Sequence, residues 1–221
     1  MYETREHLQT LTEIRSLMER SSKFLSLSGL SGVFAGVVAL MGAAAVYWRL
    51  DLHYTAYTSY DGTQILFSDA KQDIVRFLML DGFIVLLVAL IGGSLFTIRK
   101  ARKQGMSIWN TTSKRLLQAL FTPLLAGGVF CLGLIHHDLI WLVFPATLVF
   151  YGLALLSASR YTVRDLHYLG ICEIVLGLLS LFLTGYSLLT WAFGFGVLHI
   201  VYGMVMYFKY DAKPENETGV I

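Results

Sequence analysis

The sequence is built from long apolar runs that alternate with short stretches holding most of its charges. Each run has about 20 residues, the length of helix that crosses the hydrocarbon core of a bilayer. Six such runs lie at residues 24–48, 74–98, 116–136, 139–159, 166–188 and 190–208. Charged residues make up only 14% of the chain, against about a quarter in soluble proteins. We therefore expect an integral membrane protein.

These runs predict helices and not strands. Backbone polar groups in hydrocarbon must be hydrogen-bonded within the protein, and a strand of a membrane barrel would have only about 10 residues of alternating polarity. The connections after the third and fifth runs are only a few residues long, which favours pairing of consecutive runs. The expected fold class is all-α: a polytopic membrane protein with six transmembrane helices arranged as three helical hairpins.

The runs divide the chain into three parts. Residues 23–209 are expected to form the six-helix transmembrane domain, and residues 210–221 a cytoplasmic C-terminal tail. Residues 1–22 have apolar residues three or four apart, which predicts an amphipathic helix on the cytoplasmic membrane surface. These apolar residues are Leu8, Leu11, Ile14 and Leu17 or Met18.

Lysine and arginine are concentrated on one side of the six runs. That side contains both termini and 14 of the 17 basic residues, whereas the other side contains Arg49, Lys71 and Arg76. Because cytoplasmic flanks retain basic residues, both termini are predicted to be cytoplasmic and the protein to span the cell inner membrane. No basic patch remains beyond these flanks, so the expected partners are the lipid bilayer and a second copy or another membrane protein, and not nucleic acid.

Small residues recur at helical spacings in three runs, a pattern that lets helices approach closely. They are four residues apart in the first run and seven apart in the fifth and sixth. We expect the small faces of the fifth and sixth runs to pack against each other, and the glycine faces to support association with a second copy or a partner. The residues concerned are Ser28, Gly32, Gly36, Gly170, Gly177, Gly196 and Gly203.

The last two runs also show a family resemblance. Their segments are Glu173-Ile-Val-Leu-Gly177-Leu-Leu-Ser-Leu-Phe182 and Gly194-Phe-Gly-Val-Leu-His-Ile-Val-Tyr-Gly203. This pair resembles the repeated helix-pair unit of HdeD-like acid-resistance membrane proteins, and uncharacterised six-helix inner-membrane proteins of Bacteroidetes. The resemblance implies three repeated hairpins and a role in envelope stress, and it implies no catalytic residue.

Three ionisable residues lie within the runs, where charge is costly and a functional role is the first hypothesis. They are Asp81, Glu173 and His199. Glu173 shares a helix face with small residues, and the depth of His199 and Tyr202 in the sixth run puts either within reach of it. Two interpretations stay open: a polar clamp that fixes helix register, or a site that binds a proton or ligand. Asp81 is a separate candidate, either for a cavity or as a structural hydrogen-bond acceptor.

Histidines at the outer ends of the runs form only a weak metal pattern. His136, His137 and Asp138 end the third run, and His53 lies in the preceding outer loop. Adjacent histidines point to different faces of a helix, and the spacing of a typical zinc site is missing. No metal or other cofactor is expected.

The leading functional hypothesis is a non-enzymatic inner-membrane protein, with a possible role in envelope or acid stress. The alternatives are a small transporter or proton-linked permease that uses Glu173 and His199, and a membrane sensor or regulatory subunit. A serine protease is less favoured. The segment Gly29-Leu30-Ser31-Gly32 is similar to the nucleophile motif of rhomboid proteases, but the outer-loop amide of that family has no counterpart.

Overall fold

The computed structural model describes residues 27–50, 69–105, 109–183 and 185–212. Within these ranges the chain forms six helices and no strand, so the expectation of an all-α fold is confirmed for this part of the chain. The helices are α1 (Gly29–Leu50), α2 (Asp69–Lys103), α3 (Thr111–His136), α4 (Val143–Ala158), α5 (Asp165–Ser180) and α6 (Ser187–Asp211). Short 3₁₀ turns, Ile140–Leu142 and Ser159–Tyr161, flank α4.

Five helical segments are long and apolar enough to cross a membrane. They coincide with five of the six predicted spans and are compatible with a multi-pass membrane protein. These segments are Gly29–Arg49, Asp73–Lys103, Thr111–His136, Ile140–Tyr161 and Ser187–Asp211.

The fifth predicted span, residues 166–188, does not form one continuous helix. α5 ends at Ser180 after 16 residues, or about 24 Å, which is less than the roughly 30 Å of a hydrocarbon core. Turns follow, and Gly185 has a φ of 90°, a left-handed conformation that glycine adopts without strain. The apolar character of the run continues through this break, which is why hydropathy does not reveal it.

Packed helices run antiparallel, which gives the molecule two ends. At the end that we call the basic end, α1, α3 and α5 begin and α2, α4 and α6 end. Lys100 at the end of α2 and Asp211 at the end of α6 are in contact there, and Lys209 lies 3.0 Å from Asp165 at the start of α5. The other end, called the opposite end, includes Arg49 at the end of α1.

The helices pack as two groups that meet at α5 and α6. α1 lies between α2 and α6, and α4 lies between α3 and α5. α5 packs more extensively against α4 than against α6, whereas α6 packs mainly against α1. The last two helices are therefore neighbours, but each has its closest contact elsewhere.

The small-residue stripes lie at the closest of these contacts. A Cβ on Gly203 would lie 2.5 Å from the backbone nitrogen of Val33 in α1, and a Cβ on Gly170 would lie 2.8 Å from the carbonyl oxygen of Gly152 in α4. The prediction that the glycine faces of α5 and α6 meet is therefore wrong. A stripe of small residues allows a close approach, but it does not specify which helix approaches.

The remaining stripe residues follow the same division. Gly32 and Gly36 of α1 face α6, where the nearest backbone belongs to Gly203 and Gly196, and Gly196 in turn faces Leu40. Gly177 of α5 faces the carbonyl of Pro145 and the side chains of α4. Two interfaces, α1 with α6 and α4 with α5, thus use all the predicted packing glycines.

A polar cluster at the basic end joins α1, α2 and α6. Asp211 Oδ1 accepts a hydrogen bond from Lys100 Nζ at 2.5 Å, and Asp211 Oδ2 accepts from the Ser28 hydroxyl at 3.1 Å and the Gly29 N–H at 3.0 Å. Lys100 also donates to the Leu27 carbonyl at 2.8 Å. The carboxylate therefore caps the start of α1, where unpaired N–H groups favour a negative charge.

Some predictions lie outside the described residues. These are the amphipathic helix of residues 1–22, the position of His53, and residues 213–221 of the predicted tail. The start of that tail is described: α6 continues to Asp211, so residues 210 and 211 belong to the helix.

Candidate functional site

Glu173 is the most deeply enclosed ionisable side chain among the described residues. It lies in the middle of α5, and its exposed fraction is 0%. Neither carboxyl oxygen has a hydrogen-bond partner. Buried polar groups in proteins are nearly always hydrogen-bonded, so this unsatisfied carboxyl group needs an explanation.

His199 of α6 lies directly beside this carboxyl group. Its Nδ1 is 3.3 Å from Glu173 Oε1 and 3.0 Å from the carbonyl oxygen of Gly194. Its Nε2 is 2.8 Å from the hydroxyl oxygen of Tyr151, which comes from α4. The ring therefore connects three helices through polar contacts, and its side chain is only 7% exposed.

The local shape of α6 makes this arrangement possible. Residues Ala192–Leu198 form a π-helical segment, whose wider turns are rare and often occur at functional sites. His199 follows this segment directly, and the Gly194 carbonyl lies five residues before His199 in the chain. A Cβ on Gly194 would lie 2.6 Å from Glu173 Oε2, so only glycine lets the two helices approach this closely.

Burial restricts the charge that Glu173 and His199 can have together. A carboxylic acid beside a neutral imidazole and a carboxylate beside an imidazolium are both neutral pairs containing one proton. Removal of that proton would leave an uncompensated negative charge away from water, which costs several kcal/mol. Glu173 and His199 thus form a site suited to one proton.

Aromatic rings cover this site toward the opposite end. Phe195 stacks on His199 with ring centroids 5.8 Å apart, and it also contacts Trp191 at 5.0 Å and Tyr151 at 4.9 Å. Farther toward that end, the hydroxyls of Ser180 and Thr190 are hydrogen-bonded at 2.7 Å. A proton exchanging toward the opposite end would have to pass this packed region.

The other predicted polar residues lie elsewhere. The Tyr202 hydroxyl is 4.0 Å from Cys172 Sγ, so His199 and not Tyr202 is the neighbour of Glu173. Asp81 lies on α2 and faces α1, with its Oδ2 3.2 Å from the position of a Cβ on Gly42. The structure therefore brings Glu173 and His199 together and leaves Asp81 at another interface.

The weak metal pattern does not form a cluster in the described part of the chain. The rings of His136 and His137 contact each other edge to face at 5.2 Å, and Asp138 adopts a left-handed φ of 62° in the turn that follows α3. No group of three or more histidine, cysteine or acidic residues capable of holding a metal occurs among the residues that the structure describes. Ser31 likewise donates its hydroxyl to the Ser28 carbonyl and is not paired with His199.

Sequence reasoning missed two members of the site, Tyr151 and Gly194. Tyr151 is one tyrosine within an apolar run, and nothing in its spacing indicates that α4 faces His199. Gly194 precedes the stripe formed by Gly196 and Gly203, and nothing in the spacing of these residues indicates the π-helical segment that gives it a separate role. Comparisons with protein-family models, with curated proteins and with solved structures found no match for this chain.

Proposed function

We propose that this chain is a non-enzymatic, proton-linked membrane protein that binds and releases one proton at Glu173 and His199. The observation that supports it best is the fully buried Glu173 carboxyl group, which lacks a hydrogen bond on either oxygen. A clamp that fixes helix register would be expected to satisfy both oxygens, because a partly satisfied buried network destabilises the fold. An ionisable group at such a position is a typical part of a proton pathway.

The same proposal includes six membrane crossings with the basic end in the cytoplasm. α5 and the turns that follow it would complete the fifth crossing, and the pairs α1–α2, α3–α4 and α5–α6 would form three hairpins. Support comes from charge: the loop and helix ends on that side hold most of the 17 lysines and arginines, against Arg49, Lys71 and Arg76 on the other side.

We propose two settings in the cell envelope for this activity. The first is a small permease that uses the proton, and the second is an acid-stress response. The resemblance of the last two helices to HdeD-like proteins supports the second setting. Either setting requires that Glu173 and His199 change their proton occupancy without loss of the fold.

Infrared difference spectroscopy tests the proton-binding site directly. The protein is reconstituted in nanodiscs, and spectra at neutral and acidic pH are subtracted to isolate the vibrations that change when the site gains a proton. We expect the ring bands of an imidazolium together with a shifted carboxylate stretch, and we expect Glu173→Gln to remove the carboxylate signal while the helical content stays unchanged.

Asp73→Asn is the matched control, because Asp73 is an exposed carboxyl group at the start of α2, 3.7 Å from Arg76. This variant should retain the carboxylate signal assigned to Glu173. Identical difference spectra from the wild type and Glu173→Gln would contradict the proposal and leave Glu173 as a structural residue.

A further inference from the structure

The two ring nitrogens of His199 have chemically different neighbours. Nδ1 is 3.0 Å from the Gly194 carbonyl oxygen and 3.3 Å from Glu173 Oε1, whereas Nε2 is 2.8 Å from the Tyr151 hydroxyl. We propose that Nε2 is the atom that gains and loses the proton, and that Tyr151 is its positioning residue. This inference rests on the proposed function, and it specifies the atom at which that function occurs.

The Gly194 carbonyl fixes the hydrogen on Nδ1. A carbonyl oxygen can only accept a hydrogen bond, and a neutral imidazole has one N–H and one bare nitrogen. The contact at 3.0 Å is therefore satisfied only when Nδ1 carries hydrogen. The second neighbour of Nδ1, Glu173, also accepts when it is ionised, so the same tautomer suits both contacts.

Tyr151 accommodates both states of Nε2. A tyrosine hydroxyl can donate as well as accept. It donates to Nε2 when that nitrogen is bare, and after rotation about its C–O bond it accepts from Nε2 when that nitrogen carries hydrogen. A residue that could only donate would oppose protonation at this atom, and a residue that could only accept would oppose release.

The step is a simple proton binding. The Nε2 lone pair forms an N–H bond with a proton from solvent, no covalent bond within the protein breaks, the hydrogen bond with Tyr151 reverses its direction, and the imidazolium is balanced by the Glu173 carboxylate. The titratable groups that face His199 are Glu173 from α5 and Tyr151 from α4. α1 contacts the His199 backbone through Gly32, which has no side chain to titrate.

Nitrogen-15 NMR of histidine-labelled protein in nanodiscs tests the assignment, because Nδ1 and Nε2 give different chemical shifts in each tautomer. The chain has 6 histidines, and the His199→Gln spectrum identifies the signal of His199 by its loss. We expect hydrogen on Nδ1 at high pH and on both nitrogens at low pH.

Tyr151→Phe keeps the ring packing and removes only the hydroxyl. Hydrogen bonds to a charged partner are stronger than those between neutral groups, so the variant should weaken proton binding by His199 on the order of tenfold and move its transition to lower pH. The matched control is Tyr168→Phe, an exposed tyrosine on α5, which should leave the transition in place.

A neutral His199 with hydrogen on Nε2 would overturn the inference, because the Glu173 carboxyl group would then donate to Nδ1. A transition that Tyr151→Phe leaves unchanged would overturn it as well. In both cases the proposed function stands if the infrared difference spectrum shows a change at Glu173, as a shifted carboxylate stretch or as the C=O band of a protonated carboxyl group. Absence of any change at Glu173 together with a His199 signal that does not respond to pH would overturn both.

Discussion

The acidic residues Glu173 and Asp211 have opposite surroundings, and the contrast separates a structural role from a functional one. Asp211 engages both oxygens, with Lys100 on one and with the start of α1 on the other. Glu173 is more deeply buried and engages neither oxygen in a hydrogen bond. Because hydrogen bonds offset the cost of removing a polar group from water, the contacts of Asp211 fit a structural role, whereas the two oxygens of Glu173 have no such contacts.

The Asp211 cluster gives a prediction about stability. Lys100 and Asp211 side chains are 11% and 10% exposed, so Asp211→Asn leaves a nearly buried ammonium group without its counter-charge. We expect a loss of about 2–3 kcal/mol in the free energy of unfolding, measured by titration with sodium dodecyl sulfate in mild detergent.

The matched comparison is Lys209→Met, which removes the ion pair with Asp165 on the same end of the molecule. Lys209 is 53% exposed, and exposed ion pairs contribute little. This variant should unfold close to the wild type. Equal effects from the two substitutions would contradict the structural role assigned to Asp211.

Residue spacing predicted the meeting of Glu173 and His199, but not the partners that define their chemistry. Depth along two consecutive helices follows from counting residues, and it places both side chains at a similar level. Tyr151 and Asp211 could not be found in this way, because their roles depend on which helices face each other. Which helices face each other depends on close packing over whole interfaces, and no short stretch of the sequence indicates it.

At the scale of helices, α6 takes part both in the Glu173–His199 site and in the packing against α1. Its π-helical segment Ala192–Leu198 forms the site, its glycines contact α1, and its last residue caps α1. The sequence located α6 and its small face correctly, since both follow from periodicity. It assigned that face to α5, because helices that are consecutive in the chain are the first partners to consider. A stripe of small residues does not identify the helix that packs against it.

The α1–α6 contact gives the prediction at this scale. In Gly203→Ala, the new methyl carbon would lie 2.5 Å from the backbone nitrogen of Val33 and 2.8 Å from the Gly29 carbonyl, so the two helices must separate. We expect a loss of about 1–3 kcal/mol in unfolding free energy. Gly128→Ala in α3 is the control, because its new methyl group meets no atom within 4 Å apart from the neighbouring backbone of its own helix, and stability should be unchanged or rise by about 0.5–1 kcal/mol, since alanine favours a helix over glycine.

At the scale of the whole molecule, apolar surface and charge are arranged along different directions. α2 and α3 flank the helix assembly and expose large apolar side chains along their length, including Phe83 at 61% and Val129 at 70%. Basic residues are concentrated at one end instead. A bilayer around the middle of the helices, as proposed, would account for both features, since hydrocarbon would cover the apolar sides and the basic end would lie in the cytoplasm.

Labelling of single cysteines tests this orientation. Cys131 and Cys172 are replaced by alanine, and one cysteine is introduced at Trp109, which is 67% exposed beside the basic end, or at His137, which is exposed at the opposite end. In intact cells, a membrane-impermeant maleimide should label His137→Cys and should label Trp109→Cys only after the membrane is permeabilised. The reverse pattern would contradict the cytoplasmic basic end. Labelling of both positions in intact cells would mean that no bilayer separates the two ends, and the membrane-spanning arrangement itself would be wrong.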